Sequence, residues 1–203
     1  MKLVPPIVGI LRGIRADFFG PLMDAAFEAG LTAIEVTLNT ADAEKMVAAQ
    51  RARLPEGRLL GMGTICNLEE ARRALDAGAM FLVTPNTDEA VISFAVSKNI
   101  PVVAGAFTPT EVYKAWASGA SMIKVFPCTR LGPEYIKDLL GPFDQIPLMA
   151  VGGVTRQNIG AFFDAGARAV GVGSSLFGRE AIARQNADAV CVNVRQFLAL
   201  VPG

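Results

Sequence analysis

The amino-acid sequence contains no histidine among its 203 residues. This absence excludes catalysis by Ser-His-Asp or Cys-His arrangements and removes the commonest general base in enzymes. With no Cys-x-x-Cys motif either, we expect no zinc site and no other metal. Any acid–base chemistry must therefore use Asp, Glu, Lys, Tyr, Cys or water.

Other features are also missing. The 19 basic and 19 acidic residues cancel, and no Lys/Arg cluster is present, so we expect no nucleic-acid partner. No apolar run reaches the roughly 18 residues that span a bilayer, and the start lacks a signal peptide, so we expect no membrane partner. Three widely spaced cysteines indicate a reducing cytoplasm rather than a disulfide framework.

What the sequence does contain is a regular alternation of short apolar runs and helical patterns. Apolar residues make up 52% of the chain and charged residues 19%, which is typical of a globular protein with a large core. The alternation predicts eight strands, each followed by a helix, within a single domain over residues 1–203. The predicted strands cover residues 7–11, 33–38, 59–63, 80–84, 101–105, 121–127, 147–151 and 169–173.

Strands that alternate with helices pair in parallel through helical crossovers. Eight such units predict a compact (β/α)8 TIM barrel. The alternative is an open doubly wound sheet, which is expected to carry a glycine-rich turn after its first strand. The chain reads Leu11-Arg12-Gly13 there, which is not that motif, so we favour the barrel.

Lys124 is unusual because it lies inside an apolar strand, in Met122-Ile123-Lys124-Val125-Phe126. The other lysines lie at the N-terminus or in stretches typical of exposed helix. Burial lowers the pKa of an ammonium group and turns the amine into a nucleophile that can form Schiff bases. A lysine on an edge strand, or one paired in the core, is the structural alternative.

Glu35 also lies inside an apolar strand, between Ile34 and Val36. A buried structural ion pair with Lys124 would explain both residues, but such pairs add little stability because desolvation is costly. We therefore favour a functional pair. Since histidine is absent, Glu35 is then the best candidate for general acid and base.

The carboxyl ends of barrel strands carry function, and several further candidates lie there. Arg12 ends the first strand and can hold a carboxylate, although surface arginines often have no specific role. Glycine turns with free N–H groups bind phosphate, and in barrels that site follows strands seven and eight. The turns here contain Gly152, Gly153, Gly173 and Ser174, although glycines also serve simply to allow tight turns.

The ordered set of strand-end motifs resembles the KDPG/KHG family of class I aldolases along nearly the whole chain. The motifs are Val8-Gly9-Ile10-Leu11-Arg12, Ile34-Glu35-Val36-Thr37-Leu38, Gly61-Met62-Gly63-Thr64, Val83-Thr84-Pro85-Asn86, Thr108-Pro109-Thr110-Glu111, Ile123-Lys124-Val125-Phe126-Pro127, Gly152-Gly153-Val154 and Val170-Gly171-Val172-Gly173-Ser174.

The resemblance implies that Lys124 is the Schiff-base lysine and Glu35 the acid and base. It also implies a small phosphorylated keto-acid substrate, a cytoplasmic homotrimer, and no cofactor or metal. The pyruvyl carboxylate would lie near Arg12 and Thr64. Pro85 and Phe126 would line the pyruvyl pocket, and the phosphate would lie at Gly152, Gly153 and Ser174.

Two departures bear on the substrate. Gluconate-type members often read Leu-Arg-Thr where this chain has Leu38-Asn39-Thr40, and Pro-Thr-Gly-Gly where it has Ala150-Val151-Gly152-Gly153. Both resemble the branch that acts on the galactonate epimer. A third feature, Ala104-Gly105 in place of Pro-Gly, departs from both branches.

Other functions stay open at this point. Within the family, the alternatives are cleavage of the gluconate epimer and of 4-hydroxy-2-oxoglutarate. A phosphosugar epimerase or isomerase would share the phosphate glycines without needing an imine. A non-catalytic phosphate-ligand binding protein would leave Lys124 and Glu35 without a purpose.

Overall fold

The chain forms a closed ring of parallel strands, as the alternation predicts. The computed structural model describes residues 3–202. Neighbouring strands pair in sequence order and β8 pairs with β1, which closes the barrel and rules out the open sheet. The strands are β1 (Ile7–Leu11), β2 (Ala33–Thr37), β3 (Leu59–Gly63), β4 (Leu82–Val83), β5 (Val102–Ala106), β6 (Met122–Val125), β7 (Leu148–Val151) and β8 (Ala169–Val172).

Helices surround this ring on the outside. They are α1 (Ala16–Glu28), α2 (Ala43–Arg51), α3 (Leu68–Asp76), α4 (Glu89–Ser97), α5 (Pro109–Ala117), α6 (Gly132–Leu140), α7 (Ile159–Asp164), α8 (Ser174–Phe177), α9 (Arg179–Ala183) and α10 (Ala187–Leu198). Within residues 3–202, none of these helices is long and apolar enough to cross a membrane.

Local sequence signals explain why several helices begin and end where they do. Thr108 and Glu111 form the predicted capping box at α5, and the Asn67 side chain accepts from the Glu70 N–H at α3. Four helices are followed by a glycine with positive φ, at 107° for Gly30, 94° for Gly78, 95° for Gly119 and 97° for Gly166. That left-handed conformation ends a helix and favours glycine.

Several predicted boundaries differ from the observed ones by one to three residues, including those of β6, and two differences have a clear local cause. β4 is shorter than the predicted 80–84, because the Thr84 hydroxyl donates to the Asn86 carbonyl and turns the chain. The C-terminal segment, predicted as helix from about residue 179 to 200, contains two helices. Gln185 takes a φ of 52°, and Asn186 then caps a new helix by accepting from the Ala189 N–H.

The core has two layers. An outer layer packs the helices against the strands, and an inner cluster fills the lumen of the barrel. The predicted domain of residues 1–203 includes residues 1, 2 and 203, which lie outside the described part of the chain.

Candidate active site

The lumen has an apolar floor below its carboxyl edge. Every second side chain of a barrel strand points inwards. Glu35 lies two positions after Ala33, and Lys124 two positions after Met122, so both rise from this floor. The floor is a buried cluster that includes Val8, Ala33, Phe81, Val83, Val103, Met122, Met149, Val151 and Ala169.

Glu35 and Lys124 are the only charged side chains that are buried within residues 3–202. Their exposed fractions are 1% and 5%. The other lysines of that range, Lys45, Lys98, Lys114 and Lys137, are exposed, and Lys2 lies outside it. The structure therefore places the two residues that the sequence singled out in the same dry lumen.

The pKa values of the pair shift in opposite directions. Burial raises the pKa of the Glu35 carboxyl, and the positive charges of Lys124 and Arg12 offset part of that rise. Burial lowers the pKa of the Lys124 ammonium, Glu35 opposes the change, and Arg12 adds to it. Lys124 therefore holds a larger fraction of neutral amine, the nucleophilic form, than an exposed lysine does.

The pair is not a hydrogen-bonded structural ion pair. Glu35 Oε2 is buried and has no hydrogen-bond partner within residues 3–202. The salt bridges of the same range lie on exposed side chains, and none includes Glu35 or Lys124. A buried carboxylate oxygen without a partner is costly. This arrangement leaves Glu35 available to exchange a proton with a bound molecule.

Gly63 makes room for the Glu35 carboxylate. A Cβ atom at position 63 would lie 2.6 Å from the Glu35 carboxyl carbon and 2.7 Å from each of its oxygens. Real Cβ atoms do not approach other atoms so closely. The Glu35 carboxylate can therefore occupy its position only because residue 63, on the neighbouring strand β3, is glycine.

Phe126 forms a wall beside the Lys124 amine. Its ring is half-buried, and the ring centroid lies 4.9 Å from Lys124 Nζ. The aromatic face shields that side of the amine from water.

Arg12 and Thr64 meet across the lumen mouth. Arg12 Nη2 donates to Thr64 Oγ1 over 3.4 Å. Thr64 has a φ of 60°, a left-handed conformation that is strained for a β-branched residue. The strained backbone directs the hydroxyl towards an exposed guanidinium, and together they can bind a carboxylate.

Pro85 is held close to β5 by backbone contacts. A Cβ at Gly105 would lie 2.3 Å from the Pro85 carbonyl carbon, so the approach requires glycine. Thr84 Oγ1 accepts from the Gly105 N–H at 2.9 Å, and Thr87 Oγ1 donates to the Gly105 carbonyl at 2.8 Å. The departure at Ala104-Gly105 thus keeps the glycine that this wall needs.

The turns after β7 and β8 present free donors. Gly152 and Gly153 have φ angles of 98° and 75°. Their N–H groups, and those of Gly173 and Ser174, have no acceptor within residues 3–202. β7 and β8 are adjacent in the barrel, so the four donors lie at one part of the rim.

Asn39 is exposed at the turn after β2, two residues beyond the strand. Next to it, the sequence analysis missed a buried chain of hydroxyls. Thr37 and Thr40 share a hydrogen bond of 2.9 Å, and Thr40 Oγ1 also accepts from the Gly13 N–H at 2.9 Å. These hydrogen bonds fix the loop that carries Arg12. The sequence analysis missed them because threonines at a strand end do not by themselves indicate such bonds.

The cysteines of the described part of the chain are not joined in disulfide bonds. The three cysteines are free, with Cys66 exposed and Cys128 and Cys191 buried. Burial and the charge of Glu70 raise the pKa of the Cys66 thiol, which keeps it protonated. Within residues 3–202, no three His, Cys, Asp or Glu side chains are grouped to hold a metal ion.

We predict that a double variant, Glu35→Gln with Lys124→Met, unfolds less readily than the original protein. Replacing a buried charge pair by uncharged groups of similar volume is often neutral or stabilising by about 1–4 kcal/mol. We expect a gain in that range in the free energy of unfolding at pH 7, measured by urea denaturation.

The gain should depend on pH. Because its folded-state pKa is raised, Glu35 destabilises the fold only as pH rises above its unfolded value, about 4.3. Because its folded-state pKa is lowered, Lys124 destabilises the fold below its unfolded value, about 10.4, and less as pH approaches it. The gain should be largest near neutrality.

The control is a double variant of an exposed pair, Glu180→Gln with Arg184→Met, which should change the free energy of unfolding little. A Glu35→Gln, Lys124→Met variant that is less stable than the original protein at every pH would contradict the argument.

The chain resembles known proteins along most of its length. The family model for KDPG and KHG aldolases matches residues 2–192. The 2-dehydro-3-deoxy-6-phosphogalactonate aldolase of Escherichia coli (strain K12) is 37% identical over 174 residues, which are 85% of this chain and 84% of that protein.

Two solved structures extend the match to the fold. One, described as native KDPGal, has a TM-score of 0.85 and 34% identity, and covers 96% of this chain and 97% of its own. The other is a porous protein cage designed by fusing symmetric oligomeric domains. It has a TM-score of 0.90 and 33% identity, and covers 98% of this chain and 72% of its own. Sequence motifs, barrel and lumen agree: the chain belongs to the KDPG and KHG aldolase family.

Proposed function

We propose that the protein is a Schiff-base aldolase that cleaves 2-dehydro-3-deoxy-6-phosphogalactonate to pyruvate and D-glyceraldehyde 3-phosphate. The observation that carries the proposal is the burial of one lysine and one glutamate, without a direct bond between them, above an apolar floor. In this proposal the whole chain acts as a single aldolase domain.

Lys124 supplies the covalent chemistry. Its neutral amine adds to the C2 ketone of the substrate, and the adduct loses water to give a protonated imine. That cation accepts the electron pair of the C3–C4 bond when the bond breaks. The lowered pKa of Lys124 supports this role because only the neutral amine can attack.

Glu35 moves the proton. As its carboxylate, directly or through one water, it removes the C4 hydroxyl proton while the C3–C4 bond breaks. The aldehyde leaves, and an enamine of pyruvate remains. Glu35 then returns the proton to C3, and water releases pyruvate from Lys124. The raised pKa of Glu35 suits a group that must both accept and donate a proton near neutral pH.

The remaining candidates bind and orient the substrate. Arg12 and Thr64 would hold the carboxylate, and the pyruvyl unit would pack between Pro85 and Phe126. The phosphate would accept from the free N–H groups at Gly152, Gly153, Gly173 and Ser174. Binding at two ends of the substrate places the C2 ketone at Lys124 and gains rate through orientation.

A phosphosugar epimerase or isomerase is disfavoured. Proton transfer on both faces of a carbon needs two acid–base groups near the substrate. Within residues 3–202, Glu35 is the only buried carboxyl. Family membership points the same way.

The galactonate epimer is the preferred substrate in this proposal. The Escherichia coli relative acts on that epimer by name, and the native KDPGal structure shares the fold. Asn39 and Val151 stand where gluconate-type members often carry arginine and threonine. Val151 is buried in the lumen cluster and presents apolar surface, so hydrogen bonds to the C4 hydroxyl must come from elsewhere.

We further propose that the protein works as a homotrimer in the cytoplasm. Likeness to a cage built from symmetric oligomeric domains supports assembly. Three free cysteines support a reducing compartment.

Borohydride reduction in the presence of pyruvate tests the chemistry. We expect a covalent adduct on the peptide that contains Lys124, because hydride fixes the imine as a stable amine. Mass spectrometry of the digested protein locates the adduct. Lys124→Met should abolish trapping, whereas Lys137→Met, at an exposed lysine, should not. An unmodified Lys124 in the original protein would refute the mechanism.

Gly63→Ala tests the placement of Glu35. The new methyl group occupies the space of the carboxylate, so we expect kcat to fall about 10²-fold, the scale of a displacement of about 1 Å. Gly160→Ala is the matched control, since a Cβ there meets nothing within 4 Å. Steady-state cleavage measures the effect, and unchanged kcat in a folded Gly63→Ala would refute the role of Glu35.

Pyruvate release from the two epimeric phospho-substrates tests specificity. We expect kcat/KM for the galactonate compound to exceed that for the gluconate compound at least about tenfold, since one unpaired buried polar group costs about 1–3 kcal/mol. Cleavage of 4-hydroxy-2-oxoglutarate is measured alongside. Equal or gluconate-dominant cleavage would overturn the choice of substrate but not the aldolase chemistry.

A further inference from the structure

The turn between β7 and α7 is held by side chains that take no part in the proposed chemistry. Asn158 spans it with both ends of its amide. Nδ2 donates to the Gly153 carbonyl at 2.9 Å, and Oδ1 accepts from the Thr155 N–H at 2.7 Å. Ser175 Oγ donates to the Val154 carbonyl between these two contacts, at 3.1 Å. Two consecutive peptide units, 153–154 and 154–155, are therefore fixed.

This use of Asn158 differs from that of similar residues in the chain. Asn67 and Asn186 precede helices and accept from N–H groups of the helix that follows, at Glu70 and Ala189. Asn158 also stands immediately before a helix, α7, yet its side chain makes no such cap. It reaches back to the turn instead, so α7 gives up a cap that is worth about 1 kcal/mol elsewhere.

The fixed turn is also the one with free donors. The N–H groups of Gly152, Gly153 and Val154 have no acceptor within residues 3–202. Because a peptide unit is planar and trans, its C=O and N–H point in opposite directions. By holding the Gly153 carbonyl, Asn158 sets the direction of the Val154 N–H. Without that contact, two glycines in a row would leave the turn free to change conformation.

We propose that Asn158 is a positioning residue for phosphate: it holds the turn after β7 in the conformation that presents its N–H groups to the phosphate of the substrate. Ser175 assists from the first turn of α8, so this helix and the turn after β7 are fixed relative to each other. The inference rests on the proposed function in requiring a phosphorylated substrate, and it adds residues that do not touch that substrate.

Asn158→Ala should weaken phosphate recognition selectively. We expect KM for the phosphorylated substrate to rise about tenfold, with a much smaller change in kcat. A tenfold change is the size expected when one hydrogen bond between the turn and the phosphate is lost. The same substrate without its phosphate should show no comparable change in kcat/KM. Asn186→Ala is the matched control, because it removes an amide that caps a helix in the usual way.

Two additional measurements separate positioning from folding. Ser175→Ala removes only the contact to Val154 and should raise KM in the same direction. Thermal unfolding reports whether each variant is folded. Equal losses on the phosphorylated and unphosphorylated substrates, or an unchanged KM in a folded Asn158→Ala, would overturn the positioning role and leave the aldolase assignment intact.

Binding of inorganic phosphate, measured by calorimetry, does not depend on turnover. We expect Asn158→Ala to bind it about tenfold more weakly than the original protein does. Equal binding, or no binding by the original protein, would overturn the inference. If the original protein binds phosphate in this way but fails to trap pyruvate with borohydride, the aldolase proposal fails while the phosphate turn stands.

Discussion

Desolvation inside the barrel lumen is the constraint on which the rest of the site depends. The floor of Phe81, Met122 and Met149 excludes water from below, so Glu35 and Lys124 must hold their charges in an apolar environment. The same burial that is unfavourable for stability raises the pKa of Glu35 and lowers that of Lys124, so the two pKa values approach each other. Burial of the two charged groups thus lowers the stability of the fold and, in the proposed function, makes the same groups reactive.

Several features of the site depend on glycines, which have no side chain to fill space or to block a close approach. Gly63 leaves the volume that the Glu35 carboxylate fills, and Gly105 lets the Pro85 backbone approach β5. The turn at Gly152 and Gly153 offers backbone donors in place of charged groups. A cradle of N–H groups binds an anion without placing another positive charge near Lys124, and so does not disturb the balance of charge in the lumen.

The sequence predicts the barrel and the buried pair for a physical reason. A charged residue flanked on both sides by strand-forming residues is a candidate for burial, and eight repeated strand–helix units favour closure into a barrel. Other features depend on tertiary contacts. The sequence around Thr64 does not predict its left-handed backbone conformation, since threonine rarely adopts a positive φ. Asn158 precedes a helix and is indistinguishable in sequence from a helix cap. The four-residue α8 is too short to show a helical period.

The opposite pKa shifts of Glu35 and Lys124 have a consequence for measurement. A protein of this size usually carries several imidazoles whose titrations overlap between about pH 5 and 8. This chain has no histidine, so no imidazole titrates in that window. Any proton uptake that burial brings into this window from the lumen pair would therefore be measured without an imidazole background, in the unmodified chain.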